Sequence, residues 1–128
     1  MFTIDTSPHG AWLSRERTPE HTLVAVHGEL DIATAPFLRE RLHTVLEDPG
    51  PLVVLDLSGV TFCDASGLAL LVGARRRAQS RGAAVVLAAP RPHLEKMLHV
   101  TGLHRAFTIR STVGGALLSG PSGRSAAA

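Results

Sequence analysis

Apolar residues recur along the chain with two different periods, and the period separates strands from helices. The patterns typical of strands lie at residues 11–17, 22–27, 52–57, 83–88 and 107–110. The first two are separated only by Thr18-Pro19-Glu20, so they predict a hairpin-like pair. Residues 52–57 (LVVLDL) and 83–88 (AAVVLA) are almost continuously apolar, which is typical of strands covered on both faces.

The helical period appears in the stretches between these strands and predicts helices at 34–46, 66–80, 92–102 and 112–119. Thr34 takes the N-cap position of the first helix, and Pro36 is tolerated in its first turn. The apolar face of this helix consists of Leu38, Leu42, Val45 and Leu46. The sequence DPGP at 48–51 ends it. Pro92 begins the third helix and Gly102 ends it.

The resulting order of elements, ββαβαβαβα, predicts an α/β fold. Strands separated by helices imply a mainly parallel sheet with right-handed crossovers, and the first strand is expected to be its antiparallel N-terminal edge. The chain of 128 residues is long enough for one domain. We expect this domain at 11–119, with an N-terminal extension at 1–10 and a disordered tail at 120–128.

Composition excludes several classes of function. Apolar residues make up 45% of the chain and charged residues 19%, as in a globular protein. A net charge of only +2 with no Tyr argues against a nucleic-acid binder. The absence of an apolar run of roughly 20 residues or a signal-peptide pattern predicts a cytoplasmic protein that does not enter the membrane. Seven histidines show no metal-binding spacing, so no metal or other cofactor is expected.

The candidate chemistry lies in residues 58–72 (SGVTFCDASGLALLV), which join a buried strand to an apolar helix. Val60 and Phe62 are expected to point inward, and Asp64 and Ser66 come directly before the helix. Ser66 is placed as its N-cap, a role worth about 1 kcal/mol. The carboxyl end of a strand that leads into a helix is also a common anion site, so a phosphate on Ser66 would sit at the positive end of the helix dipole. The residues alone leave both roles open.

Four motifs in one order carry a resemblance to a known family. They are GELD (28–31) followed by ATA (33–35), VLDLSGV (54–60), FCDASGL (62–68) and TGL (101–103). Together they resemble the STAS domain of bacterial anti-sigma factor antagonists over roughly residues 11–118. The resemblance implies the STAS fold and a phosphorylation cycle. In that family an anti-sigma factor with serine kinase activity phosphorylates the antagonist, whose unphosphorylated form binds this kinase and releases a sigma factor. A metal-dependent phosphatase of the PP2C type restores the active form.

The resemblance also implies roles for individual residues. By position, Ser66 is the phosphoacceptor, Asp64 shapes the phosphorylation loop with Ala65 and Gly67, and Asp31 is a loop acid at the same end of the sheet. Many relatives carry Ser or Thr where this chain has Ala65, so Ser66 is the unambiguous hydroxyl. Asp64 and Asp31 have an alternative role as plain turn residues.

Three other features have competing interpretations. The second helix carries a group of arginines that has two interpretations. The group is either a solvated face near the helix C-terminus or part of a docking surface for an acidic kinase, with Arg76 as the candidate contact. Its members are Arg75, Arg76, Arg77 and Arg81. Cys63 is interpreted as a small buried residue rather than a redox sensor. Ser66 lies in no GxSxG motif, so an enzyme is not expected. The alternative function is a ligand-sensing or scaffold STAS domain without a phosphorylation cycle, and the chain is expected to be a monomer or weak dimer.

Overall fold

The computed structural model describes residues 2–6 and 10–119, with side chains from residue 10 onward. Within these residues one sheet has six strands, which lie side by side in chain order. They are β1 (Phe2–Thr6), β2 (Trp12–Arg17), β3 (Thr22–Leu30), β4 (Leu52–Cys63), β5 (Ala84–Ala88) and β6 (Thr108–Arg110). The pairs β1–β2 and β2–β3 are antiparallel, and the three pairs from β3 to β6 are parallel. The predicted α/β class is therefore confirmed.

The helices follow the parallel strands. They are α1 (Ala35–Val45), α2 (Ala65–Ser80), α3 (Pro92–Val100) and α4 (Val113–Leu117), and a short 3-10 turn covers Leu103–Arg105. All four lie within or close to their predicted ranges. Gly102 has a φ of 80° and ends the third helix, as predicted, because this left-handed conformation suits glycine.

The strand β1 lies within residues 1–10, for which the sequence predicts only an extension. It pairs with β2 from Phe2↔Glu16 to Thr6↔Trp12, so the antiparallel edge of the sheet is one strand further out than predicted. The apolar pattern of β1 is too short to predict a strand from the sequence alone. The strand forms because β2 provides hydrogen-bond partners for its backbone. Residues 120–128 lie outside the described part of the chain, so the tail there stays a prediction.

Both faces of the central strand β4 are buried, as its continuous apolar pattern predicts. Val53, Leu55 and Leu57 belong to the main core, which includes residues of α1, α2 and α3. Leu52 and Val54 belong to a second cluster, which includes Ala116 of α4. The three longer helices thus pack on one core and α4 on the other.

The strands β3 and β4 both run further than predicted, and this extension positions the site. Ser58 and Gly59 indicate a strand end in the sequence, but pairing with β3 continues past them after a register shift. A Cβ atom at Gly59 would lie 2.0 Å from His27 Nδ1, so only glycine fits beside this ring. The His27 ring in turn stacks on Trp12, with centroids 3.7 Å apart. This packing allows β3 to continue to Leu30 and β4 to continue to Cys63.

Candidate functional site

The site begins where two neighbouring parallel strands end together. Leu30 is paired with Cys63, so Asp31 and Asp64 follow at the same edge of the sheet. The backbone N–H of Asp64 donates to the carbonyl of Leu30 over 3.1 Å and ties the two loops together. The structure therefore places Asp31 at the end of the sheet where the sequence predicts it.

Asp64 caps helix α2, and the N-cap prediction for Ser66 is wrong. Asp64 has an extended backbone, and its Oδ1 accepts hydrogen bonds from the N–H groups of Ser66 at 2.8 Å and Gly67 at 3.3 Å. The helix begins at Ala65, so Ser66 is the second residue of its first turn. Aspartate and serine are both favourable N-cap residues. Asp64 takes this position because its backbone is still extended, whereas Ser66 is already inside the helix.

Asp31 serves the neighbouring loop in a similar way. Its Oδ1 accepts from the N–H groups of Ala33 and Thr34, each at 3.0 Å. The structure therefore shows the turn role that was one of its two interpretations. Thr34 does precede α1, but its hydroxyl donates to the carbonyl of Glu29 at 2.7 Å and makes no capping bond.

The hydroxyl of Ser66 has no hydrogen-bond partner within the described residues, and its side chain is half-buried. The two N–H groups at the start of α2 that could cradle an anion are already bound to Asp64. A group attached to Ser66 Oγ would have to displace the Asp64 carboxylate to reach them. The site therefore presents a free hydroxyl at the positive end of a helix, without an empty anion cradle.

Removing the Asp64 cap provides a test of this geometry. Asp64→Ala is expected to lower the free energy of unfolding by about 0.5–2 kcal/mol, because two backbone N–H groups lose their acceptor. Asp64→Asn is the control, since asparagine caps about as well as aspartate. Urea titrations followed by circular dichroism measure both variants. Equal stability of the Ala and Asn variants would contradict the capping role.

Gly67 is required by close packing at the start of α2. A Cβ atom there would lie 2.6 Å from Cys63 Sγ and 2.7 Å from both the Cβ and the carbonyl oxygen of Leu30. Since one of these atoms belongs to the backbone, a larger residue would push the helix away from both strand ends. Gly67 thereby sets the position of Ser66, its neighbour in the same turn.

Two large apolar side chains are exposed at this edge of the sheet. Ile32, in the Asp31 loop, is 79% exposed, and Phe62, near the end of β4, is 42% exposed. The prediction that Val60 points inward is confirmed, whereas the same prediction for Phe62 is wrong. A register shift between β3 and β4 leaves Thr61 without a paired residue. This interrupts the alternation of inward and outward side chains along β4. Outside the core, the Phe62 ring lies near the ring of His93, with centroids 6.2 Å apart.

Cys63 lies beneath the site and is buried, as the sequence suggests. Burial raises the pKa of its thiol to about 11, and the nearby Asp64 carboxylate adds to the rise. The thiol is therefore protonated at neutral pH and is a weak nucleophile. This supports the structural role of Cys63 over redox sensing.

The three successive arginines of α2 point in different directions. Arg75 lies over the ring of Phe107, with its guanidinium carbon 5.7 Å from the ring centroid. Arg76 is exposed and lies about 15 Å along the helix axis from Ser66, at 1.5 Å per residue. Arg77 lines a groove between α1 and α2. The structure does not bring Arg76 next to Ser66, and its docking role stays a prediction.

The described residues include no group of three His, Cys, Asp or Glu side chains placed to hold a metal ion. None of their helices has the length and apolar character needed to cross a membrane. The groups at this edge of the sheet include the Ser66 hydroxyl, the carboxylates of Asp31 and Asp64, and the exposed side chains of Ile32 and Phe62.

Comparison with known proteins identifies the family. The family model described as the STAS domain matches residues 13–116, which is most of the chain. The chain belongs to the STAS domain family. The resemblance carried by the sequence motifs is thus confirmed. Among solved STAS structures, an anti-sigma factor antagonist from Mycobacterium paratuberculosis is similar with a TM-score of 0.78 and 29% identity, over 89% of this chain and 97% of that one.

Curated relatives have related names. The anti-sigma-B factor antagonist of Listeria monocytogenes is 31% identical over 78% of this chain and 88% of its own length. The anti-sigma-F factor antagonist RsfB of Mycobacterium tuberculosis is 32% identical over 80% of this chain and 83% of its own length. Both relatives are, by name, antagonists of anti-sigma factors.

Proposed function

We propose that this STAS domain is an anti-sigma factor antagonist whose binding is switched off by phosphorylation of Ser66. The unphosphorylated form binds an anti-sigma factor with serine kinase activity and releases a sigma factor. The kinase then phosphorylates Ser66, and a PP2C-type phosphatase reverses the modification. The protein acts in the cytoplasm and contributes no catalysis of its own. The observation that carries the proposal is the free hydroxyl of Ser66 at the start of α2, in a chain whose relatives are named antagonists.

Electrostatics support a switch rather than a phosphate-holding pocket. A phosphate adds about two negative charges. The N–H groups of Ser66 and Gly67 are already bound to Asp64, whose carboxylate also repels the phosphate. The helix dipole offsets part of this repulsion, so the modification leaves the fold intact. The new charge is then presented to the partner instead of being neutralised within the domain.

The exposed apolar side chains beside Ser66 support this edge as the docking surface. Ile32 and Phe62 are expected to become buried against the kinase, which removes water from the region around Ser66. A charge without a counter-ion in such an interface is strongly unfavourable. An interface of about 800 Å² per partner has a radius of about 16 Å, so one centred on Ser66 extends to Arg76. Asp31, Ala65 and Gly67 lie within it by position.

Phosphate transfer tests the assignment of Ser66. The purified GHKL-type kinase from the same organism, with labelled ATP, is expected to modify the wild-type protein at a single site. Ser66→Ala is expected to lose essentially all incorporation, because no second hydroxyl stands in its loop. Ser58→Ala is the matched control, since Ser58 is an exposed serine of β4, the strand that leads into α2. Full labelling of the Ser66→Ala protein would show that another residue is the phosphoacceptor.

A further inference from the structure

A groove of about 190 Å³ lies between helices α1 and α2. Both helices follow parallel strands and start at the edge of the sheet that carries Ser66. The floor of the groove is apolar and consists of Leu42, Leu46, Leu70 and Ala74. Its near end starts at Ala69, which lies about 5 Å along the helix axis from Ser66. The groove therefore continues from the proposed docking surface down one face of the domain.

Gly73 lies in the middle of this groove, and the fold itself does not require it. Glycine is one of the least favourable residues in a helix interior. A Cβ atom at Gly73 would meet nothing within 4 Å, and its backbone is not in the left-handed region. Gly67, in the same helix, is the opposite case, because a Cβ atom there would collide with Leu30 and Cys63. The missing side chain of Gly73 leaves room for a group from outside the chain.

The rim of the groove carries positive charge without an internal counter-charge. Arg39 of α1 and Arg77 of α2 carry this charge, and His43 also lines the groove. The ion pair found among the described residues joins Arg17 and Asp48, so neither Arg39 nor Arg77 has a carboxylate partner within the described part of the chain. The Nε atom of Arg77 is buried and has no hydrogen-bond acceptor in the described part of the chain. The Nε atoms of Arg15 and Arg41 are in the same state, so it is the unpaired charge of Arg39 and Arg77, rather than this buried atom, that makes the rim complementary to carboxylates.

The size of the groove favours one apolar side chain over a free small molecule. Small-molecule sites usually measure about 300–1,000 Å³. A cavity of about 150 Å³ accommodates a benzene ring, so 190 Å³ suits one side chain the size of Leu or Phe. Such pockets hold the anchor residues that dominate protein interfaces.

We propose that this groove receives an acidic segment of the anti-sigma factor. One large apolar side chain of that segment fills the space in front of Gly73, and its carboxylates bind Arg39 and Arg77. The inference rests on the proposed function, because it assigns a second contact area to the same partner. The groove gives affinity and specificity, whereas Ser66 gives control.

Calorimetric titration with the purified kinase tests the inference, with a non-hydrolysable ATP analogue to prevent phosphate transfer. Gly73→Leu fills the groove and is expected to weaken binding at least about 10-fold. The double variant Arg39→Glu/Arg77→Glu is expected to weaken it at least about 30-fold, because it places like charges against the acidic segment. Thermal unfolding of each variant checks that the domain is folded.

Matched controls separate the groove from general effects of the substitutions. Gly114→Leu places the same side chain at an open glycine of α4, which packs on the other face of the sheet. Arg105→Glu reverses an exposed charge on the 3-10 turn. Both are expected to bind within about twofold of the wild-type protein.

The outcomes distinguish the groove from the switch. Normal binding by Gly73→Leu and by the double arginine variant, with binding lost on Ser66→Asp, overturns the groove and retains the switch. Loss in the groove variants with normal binding by Ser66→Asp supports the groove and overturns the charge-controlled switch. If the wild-type protein does not bind the kinase, both proposals fail.

Discussion

Ser66→Asp is expected to weaken binding to the anti-sigma factor about 100-fold, which corresponds to about 2.8 kcal/mol. The carboxylate would enter an interface that also buries Ile32 and Phe62, next to the existing charge of Asp64. The backbone N–H groups that could have stabilised it are already bound to Asp64. An uncompensated buried charge typically costs about 3–5 kcal/mol, so a 100-fold loss is a conservative expectation.

Ser66→Asn is the matched control for this experiment. Asparagine has the size of aspartate without its charge, so it is expected to retain binding within about fivefold. Calorimetry of the three proteins with the same kinase separates charge from size. Equal binding by the wild-type and Ser66→Asp proteins would contradict the charge mechanism. Equal losses in the Asp and Asn variants would show that steric exclusion, rather than charge, controls the complex.

Two identical substitutions in one helix are expected to change stability in opposite directions. Gly67→Ala is expected to lower the free energy of unfolding by about 1–3 kcal/mol, because its Cβ atom would collide with Cys63 and the backbone of Leu30. Gly73→Ala is expected to raise it by about 0.5–1 kcal/mol, because the space is open and alanine favours the helix.

Chemical denaturation measures both glycine variants against the wild-type protein. The pair controls for helix propensity, since the substitution and the helix are the same. Stabilisation by Gly67→Ala would show that the start of α2 can move away from the strand ends at no cost. Gly67→Ala is also expected to slow phosphorylation of Ser66, because it displaces the turn that carries the hydroxyl.

The physical properties of Ser66 explain why a serine in this position suits a switch. It is in the first turn of a helix, where negative charge is tolerated, but it does not hold the turn together. Asp64 performs the capping instead. The proposed phosphorylation of Ser66 would therefore change the surface of the domain and leave the hydrogen bonds of Asp64 in place.

The sequence by itself determined the elements that local patterns encode. The continuous apolar run of β4 predicts burial on both faces, because any exposed face would need polar residues, and the structure shows two cores there. The helical period correctly predicted which face of α1 is buried. Gly102 correctly predicted the end of α3, where this residue adopts the left-handed conformation. The ordered motifs identified the STAS family, and the match of the family model to residues 13–116 confirms it.

Only the tertiary structure decided which residue caps α2, how far the central strands run and where Phe62 points. Each depends on a neighbour that is distant in the chain. Leu30 binds the N–H of Asp64 and keeps it in the strand, His27 packs over Gly59 and lets β4 continue, and a register shift turns Phe62 outward. The α1–α2 groove is also invisible in the sequence, because it exists only where two helices meet. Local periodicity determines elements, whereas contacts between elements position the residues that act.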